Sequence, residues 1–181
     1  LKNIYQDKSP ELLYFFTLSH LFDNFLDDAN QEAIIDKRTG ITETMIWNKL
    51  YDFQKDGVIG AINKIEKFGG CIIADSVGLG KTFEALAIIK YYELRNNKVL
   101  VLAPKKLRDN WLVYKQNDKR NPFAEERLFS YTLLNHTDLS REGGYSGDVD
   151  LAYIHWDTFD LVVIDESHNF RNGAGTHTNT H

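Results

Sequence analysis

Cys71-Ile72-Ile73-Ala74-Asp75-Ser76-Val77-Gly78-Leu79-Gly80-Lys81-Thr82 is the stretch whose reading decides the fold. It reads as a short buried strand, a glycine-containing turn and a helix that opens on Lys81-Thr82. That order is a recipe for holding a triphosphate. Backbone N–H groups of the turn and of the helix start face the anion, and the helix dipole favours its charge. Gly78 and Gly80 let the chain curl close to phosphate oxygens where a Cβ would intrude. Val77 and Leu79 lend their backbone to the same loop, Lys81 reaches the β/γ oxygens, and the Thr82 hydroxyl is a ligand for Mg²⁺. The strict pattern G-x-x-x-x-G-K-[ST] asks for glycine at position 75, where the residue is Asp75.

A second stretch, Leu161-Val162-Val163-Ile164-Asp165-Glu166-Ser167-His168, supports the first. Four apolar residues lead into a carboxylate pair, so Asp165-Glu166 is expected at the end of a buried strand. There Asp165 can hold Mg²⁺ and Glu166 can orient an attacking water. Each piece taken singly also fits an ordinary turn or a solvated strand end; the two together favour a nucleotide site.

Ala74-Asp75-Ser76-Val77-Gly78-Leu79-Gly80-Lys81-Thr82 and Asp165-Glu166-Ser167-His168 resemble motifs I and II of superfamily 2 helicases. The resemblance is to the Swi/Snf-type branch of double-stranded-DNA translocases, where Asp commonly stands at the position of Asp75. That branch's A-D-E-M-G-L-G-K-T is matched except at Ser76 and Val77, and its D-E-A-H carries Ser167 in place of Ala. Two further segments agree with it. Leu50 to Val58 is similar to the Q motif and puts Gln54 on the family's adenine-binding glutamine, a role suited to an amide that both donates and accepts. Pro104-Lys105-Lys106-Leu107-Arg108-Asp109-Asn110-Trp111 is similar to motif Ia. The resemblance covers about residues 47–172. It implies ATP and Mg²⁺ as cofactors, Lys81, Asp165 and Glu166 as catalytic groups, and His168 as the residue coupling hydrolysis to DNA.

Composition sets the outer bounds. The 181 residues carry 21 Lys and Arg against 26 Asp and Glu, a formal net charge of −5, which excludes a wholly basic nucleic-acid binder but not a local patch. Hydrophobic residues are 43% and charged residues 26%, the balance of a soluble globular chain. No apolar run reaches the roughly 18–20 residues that span a bilayer, and no secretory signal is visible, so no membrane contact and a cytoplasmic location are expected. The single Cys71 is expected as a buried structural thiol.

Along the chain, Ser9-Pro10-Glu11 marks a helix start with an apolar face from Leu12 to Leu26. A polar linker is expected from Asp28 to Thr44. The domain reading is therefore a helical extension and linker over 1–46 and an ATP-binding lobe over 47–181. Within the lobe, a helix begins near Leu50 and stops at Gly69-Gly70. The helix from Lys81 to about Arg95 is apolar nearly all round, and Val99 to Ala103 reads as an interior parallel strand. Lys98, Lys105, Lys106, Arg108, Lys115, Lys119 and Arg120 make a basic stretch. Lys105, Lys106 and Arg108, beside Pro104, are candidates for nucleic-acid phosphate contacts, whereas Trp111 reads as core. A strand is expected within Leu128 to Leu134 and a loop over Arg141 to Gly147. His136 and His155 read as structural, and the tail from Arg171 to His181 as a loop.

The fold class expected is α/β: a RecA-like P-loop NTPase lobe, a parallel sheet flanked by helices, preceded by the N-terminal helical extension. The function implied by the resemblance is the ATP-binding lobe of a DNA helicase or translocase. The implied partners are double-stranded DNA and a second RecA-like lobe that brings the arginine fingers, so the piece alone should be inactive. Similarity also extends to bacterial helicase-like proteins with an upstream phospholipase-D-like nuclease domain. Two other classes stay open: a nucleotide-binding or docking module without turnover, and a P-loop ATPase that acts on protein.

Overall fold

The computed structural model describes residues 39–74, 80–126 and 129–170. The expected helix after Ser9, most of the linker, phosphate-loop residues 75–79 and the tail from Arg171 lie outside the described residues.

Among the described residues three α-helices precede the sheet: α1 (Met45–Lys49), α2 (Asp52–Phe68) and α3 (Lys81–Leu94). Thr44 caps α1, its side chain accepting from Trp47 N–H. Gly69 ends α2 in the left-handed region at φ 77°, as expected of a C-terminal glycine. Along α3, the side chains from Leu86 to Tyr92 are all buried, and Asn96 at φ 62° turns the chain out of it. The end of the expected linker behaves differently from the expectation. Ile41 and Ile46 are fully buried in the same core as α2 and α3. The polar surroundings hid two anchors that a helix start needs.

Among the described residues the sheet has three parallel strands in the order β2-β1-β5, where β1 is Val99–Ala103, β2 is Thr132–Asn135 and β5 is Leu161–Ile164. A short antiparallel hairpin, β3 (Tyr145–Ser146) and β4 (Val149–Asp150), stands apart from it. Between β1 and β2 lies the short helix α4 (Arg108–Val113), reached through a 3₁₀ turn at Lys105–Leu107. This is the parallel α/β architecture expected of a RecA-like lobe. β1 is buried on both faces because it is central. Val99, Val101 and Ala103 meet the helices, and Leu100 and Leu102 meet Leu134 and Leu151 on the opposite side.

Two expectations are corrected. Cys71–Ala74 form no strand: they pair with none of the described strands, and Ile72 is 90% exposed. Cys71 and Ile73 pack against the core only in part, so Cys71 is half-buried. Burial still pushes its thiol pKa up, with Lys64 opposing. An apolar run becomes a strand only where a neighbour completes its ladder. β5, expected to be buried, is an edge strand of the described sheet. Leu161 and Val163 pack on the helical side, whereas Val162 and Ile164 are exposed. Among the described residues no helix is long and apolar enough to cross a membrane.

Candidate nucleotide site

In a parallel sheet all C-terminal strand ends share one edge, and that edge carries Asp165, Glu166 and His168 past β5 and Lys105 and Lys106 past β1. β5 delivers Asp165 there. Its backbone N–H donates to Leu102 O at 2.9 Å, extending the β1 ladder one residue past the strand. One carboxylate oxygen, Oδ2, accepts the Trp111 indole N–H at 2.9 Å. Trp111 is core, as expected, but a core residue with a polar task. Its buried N–H must find an acceptor, and that requirement is the sequence signal that a closer reading of the indole offers.

The next residue, Glu166, sits in the left-handed region at φ 52°. A non-glycine residue there carries strain of order 1–3 kcal/mol, the kind held in place at functional turns. Its carboxylate is exposed, with Oε2 lying 3.2 Å from His168 Nδ1. Asn169 N–H closes the turn on Glu166 O at 3.0 Å. Motif II residues 165, 166 and 168 are thus brought together at one sheet end.

The remaining phosphate-loop candidates among the described residues lie at the start of α3. Gly80 stands at its N-cap at φ 84°, and Lys81 and Thr82, both half-buried, begin its first turn. Phe83 N–H donates to Gly80 O at 2.8 Å. The positive end of the helix dipole lies at this first turn; Val77, Gly78 and Leu79 are outside the described residues.

Gln54 is 4% exposed, and its Oε1 accepts Tyr51 N–H at 3.0 Å, capping its own helix. Its amide nitrogen lies against Gly80, where an added Cβ would run into it. The family resemblance implies a role for Gln54 at the base; the geometry places its amide against Gly80 at the start of α3. Gly80→Ala is therefore expected to cost about 1–3 kcal/mol in local stability at the start of α3. Adding Gln54→Ala should remove the collision but not the φ penalty, so it restores only part. Hydrogen exchange of the first turn of α3 measures both, and equal protection in wild type and Gly80→Ala would contradict the expectation.

The basic candidates separate. Lys105 and Lys106 are exposed just past the end of β1, on the same edge as Asp165. Arg108 is spent inside the protein: it donates to Leu133 O at 3.2 Å, to Ser146 Oγ at 3.3 Å and to Ser146 O at 3.1 Å. His136 rests its Nε2 3.3 Å from Leu102 O and its ring on Phe170, a structural placement.

Comparison with known proteins adds to this geometry. The family model described as SNF2-related domain matches residues 29–117. The chain is 32% identical over 133 residues to the DNA annealing helicase and endonuclease ZRANB3 of Mus musculus, covering 66% of this chain and 12% of that protein. It is 33% identical over 117 residues to the uncharacterised ATP-dependent helicase YqhH of Bacillus subtilis, covering 60% of this chain and 20% of that protein. It is 29% identical over 119 residues to the RNA polymerase-associated protein RapA of Stutzerimonas stutzeri, covering 54% and 12%. The chain thus spans a fifth or less of the length of these relatives. No solved structure matches it. With the sheet and its acid turn in place, these matches identify the chain as belonging to the SNF2-related, Swi/Snf-type branch of superfamily 2, of whose first RecA-like lobe it is a part.

Proposed function

We propose that the chain is the ATP-binding lobe of a motor that couples ATP hydrolysis to movement on DNA. The observation that carries this reading is the acid turn after β5. Asp165 is anchored to β1 and Glu166 is held in a strained conformation, at the sheet edge where parallel α/β folds bind ligands. In this reading Lys81 binds the β/γ phosphates, and the loop formed by Val77, Gly78, Leu79 and Gly80 wraps them. Thr82 and Asp165 hold the cation, Glu166 orients water, and His168 reports hydrolysis to the DNA-binding side. Gln54 reads adenine by exchanging its Tyr51 N–H for the base.

The donor set suits Mg²⁺. Thr82 and Asp165 offer hard oxygens. Among the described residues no group of three or more His, Cys, Asp or Glu could hold a metal ion. A cation that takes one carboxylate and completes its shell with phosphate oxygens and water fits such a site. When bound, Mg²⁺ neutralises charge on the β/γ phosphates.

Double-stranded DNA is the proposed polymer, touched by Lys105 and Lys106 through its phosphates. Arg108 is left out because its guanidinium already braces β2 and the hairpin. A second RecA-like lobe, and an upstream nuclease domain as in the bacterial helicases it resembles, belong to the same proposal for the whole protein.

The test is DNA-stimulated ATPase of the full-length protein with Lys105→Glu/Lys106→Glu beside wild type. The double variant should bind every DNA sequence more weakly and lose stimulation while keeping nucleotide affinity. Its salt slope should fall by about one per lost phosphate contact. A wild type whose ATPase ignores DNA would overturn the reading in favour of a protein-directed ATPase or a binding module. Unchanged affinity and slope in the variant would return the two lysines to a solvated surface.

A further inference from the structure

Trp111 and Asp165 are 54 positions apart, yet the indole N–H meets Asp165 Oδ2 at 2.9 Å. An indole is a donor only, so this bond has one polarity, and it cannot be satisfied by a flipped alternative. Trp111 is itself tightly placed. It is 3% exposed, its ring stands edge-on to Tyr131 at 5.9 Å between centroids, and its carbonyl oxygen accepts the Tyr131 hydroxyl at 2.5 Å. Burial, with Glu93 adding, pushes the Tyr131 phenol pKa up, so the hydroxyl stays a donor to Trp111. On the other side, the Asp165 backbone is tied to Leu102 O. Both the carboxylate and its partner are fixed at their roots.

We propose that Trp111 is a positioning residue for the divalent-cation ligand Asp165: by holding Oδ2 it sets the carboxylate rotamer and leaves Oδ1 as the oxygen that would take the metal. The inference rests on the reading of Asp165 as the residue that holds Mg²⁺. It goes further by assigning a task to an indole in the segment after β1, which otherwise reads only as core. A carboxylate free to rotate must be ordered when the cation arrives, whereas one held by a buried donor is ordered beforehand. Partners of this kind are worth about 10–100-fold in metal affinity.

The experiment measures binding, not turnover. Full-length protein is titrated into fluorescent mant-ATP, once with Mg²⁺ and once with EDTA, and the ratio of the two dissociation constants is the gain due to the metal. Two variants are compared with wild type. One is Trp111→Phe. The other replaces Trp111 by β-(3-benzothienyl)alanine, which keeps the shape of the indole, lacks the N–H and guards against a packing defect. Both should keep the EDTA affinity and lose about tenfold or more of the Mg²⁺ gain. In an Asp165→Asn background the benzothienyl variant should cost nothing further, because the two residues act as one unit. A packing role alone would lower both affinities together and would be repaired by the benzothienyl side chain. A full Mg²⁺ gain in the benzothienyl variant would overturn the inference. A wild type that binds mant-ATP without any Mg²⁺ gain would overturn the metal reading of Asp165, and the inference with it, and is recognised before any variant is made.

Discussion

Full-length protein carrying Glu166→Gln is expected to bind ATP with Mg²⁺ about as well as wild type and to hydrolyse it at least about 10²-fold more slowly. The substitution keeps the length and shape of the side chain and an acceptor oxygen for His168, whose Nδ1 lies 3.2 Å from the Glu166 carboxylate. It removes only the charge proposed to orient the attacking water. The backbone at φ 52° is the same for either residue, so the turn after β5 should survive. Lys81→Ala is the contrasting case. Removing the ammonium at the first position of α3 takes away the proposed phosphate contact, so affinity and turnover should fall together. Equilibrium binding beside a phosphate-release assay separates the two. Equal loss of affinity in both variants would show that Glu166 binds nucleotide and does not act in the chemical step.

How much of this was legible from the sequence depends on whether the signal is local. The length and end of α2 were readable because Gly69 sits where only a left-handed residue fits. The burial of α3 and β1 was readable because each is apolar on every side. Cys71–Ala74 and Leu161–Ile164 misled for one reason: an apolar run announces that it prefers burial, not that a neighbour lies on each face. Val162 and Ile164 share a sheet face with Leu100 and Leu102, but the cluster that buries those two does not extend over β5, the edge strand of the described sheet. The motifs gave residue types and spacing but not partners. The Trp111–Asp165 bond joins the segment after β1 to the end of β5, and the bonds of Arg108 join α4 to β2 and to Ser146 at the end of β3. Such pairings exist only once parallel strands are in register, and no window of sequence contains both halves.

A more local network makes Asp138 a residue whose loss should hurt the fold on this side of the sheet. It is 2% exposed in the 3₁₀ turn His136–Ser140, after β2. Its carboxylate accepts Asn135 N–H at 2.8 Å, Asn135 Nδ2 at 2.9 Å and Arg141 Nη1 at 2.9 Å, as well as the Ser146 hydroxyl. Ser146 in turn holds Arg108 of α4, so one carboxylate ties β2, the turn and the hairpin together. Asp138→Ala leaves the Asn135 N–H and the Ser146 hydroxyl without this acceptor, while Arg141 keeps Tyr145 O, a loss worth about 1–3 kcal/mol. Hydrogen exchange over residues 132–150 of the full-length protein should lose protection by that amount. A change below about 1 kcal/mol would mean that water replaces the carboxylate.

Acid gives the second arm of the test. Burial pushes the Asp138 pKa up, but the bonds from Ser146, Asn135 and Arg141 outweigh it and leave the carboxyl below its ordinary value. A lowered folded-state pKa means that the stabilisation is fully present above the unfolded value of about 3.9. It is lost as pH falls through the folded value. Asp138→Asn has no charge to titrate, so the gap in protection between wild type and Asp138→Asn should be constant above that window and narrow below it. Comparing the two at each pH cancels the intrinsic exchange rates. A gap that does not narrow in acid would assign the network to the geometry of an amide-sized side chain and deny any contribution from its charge.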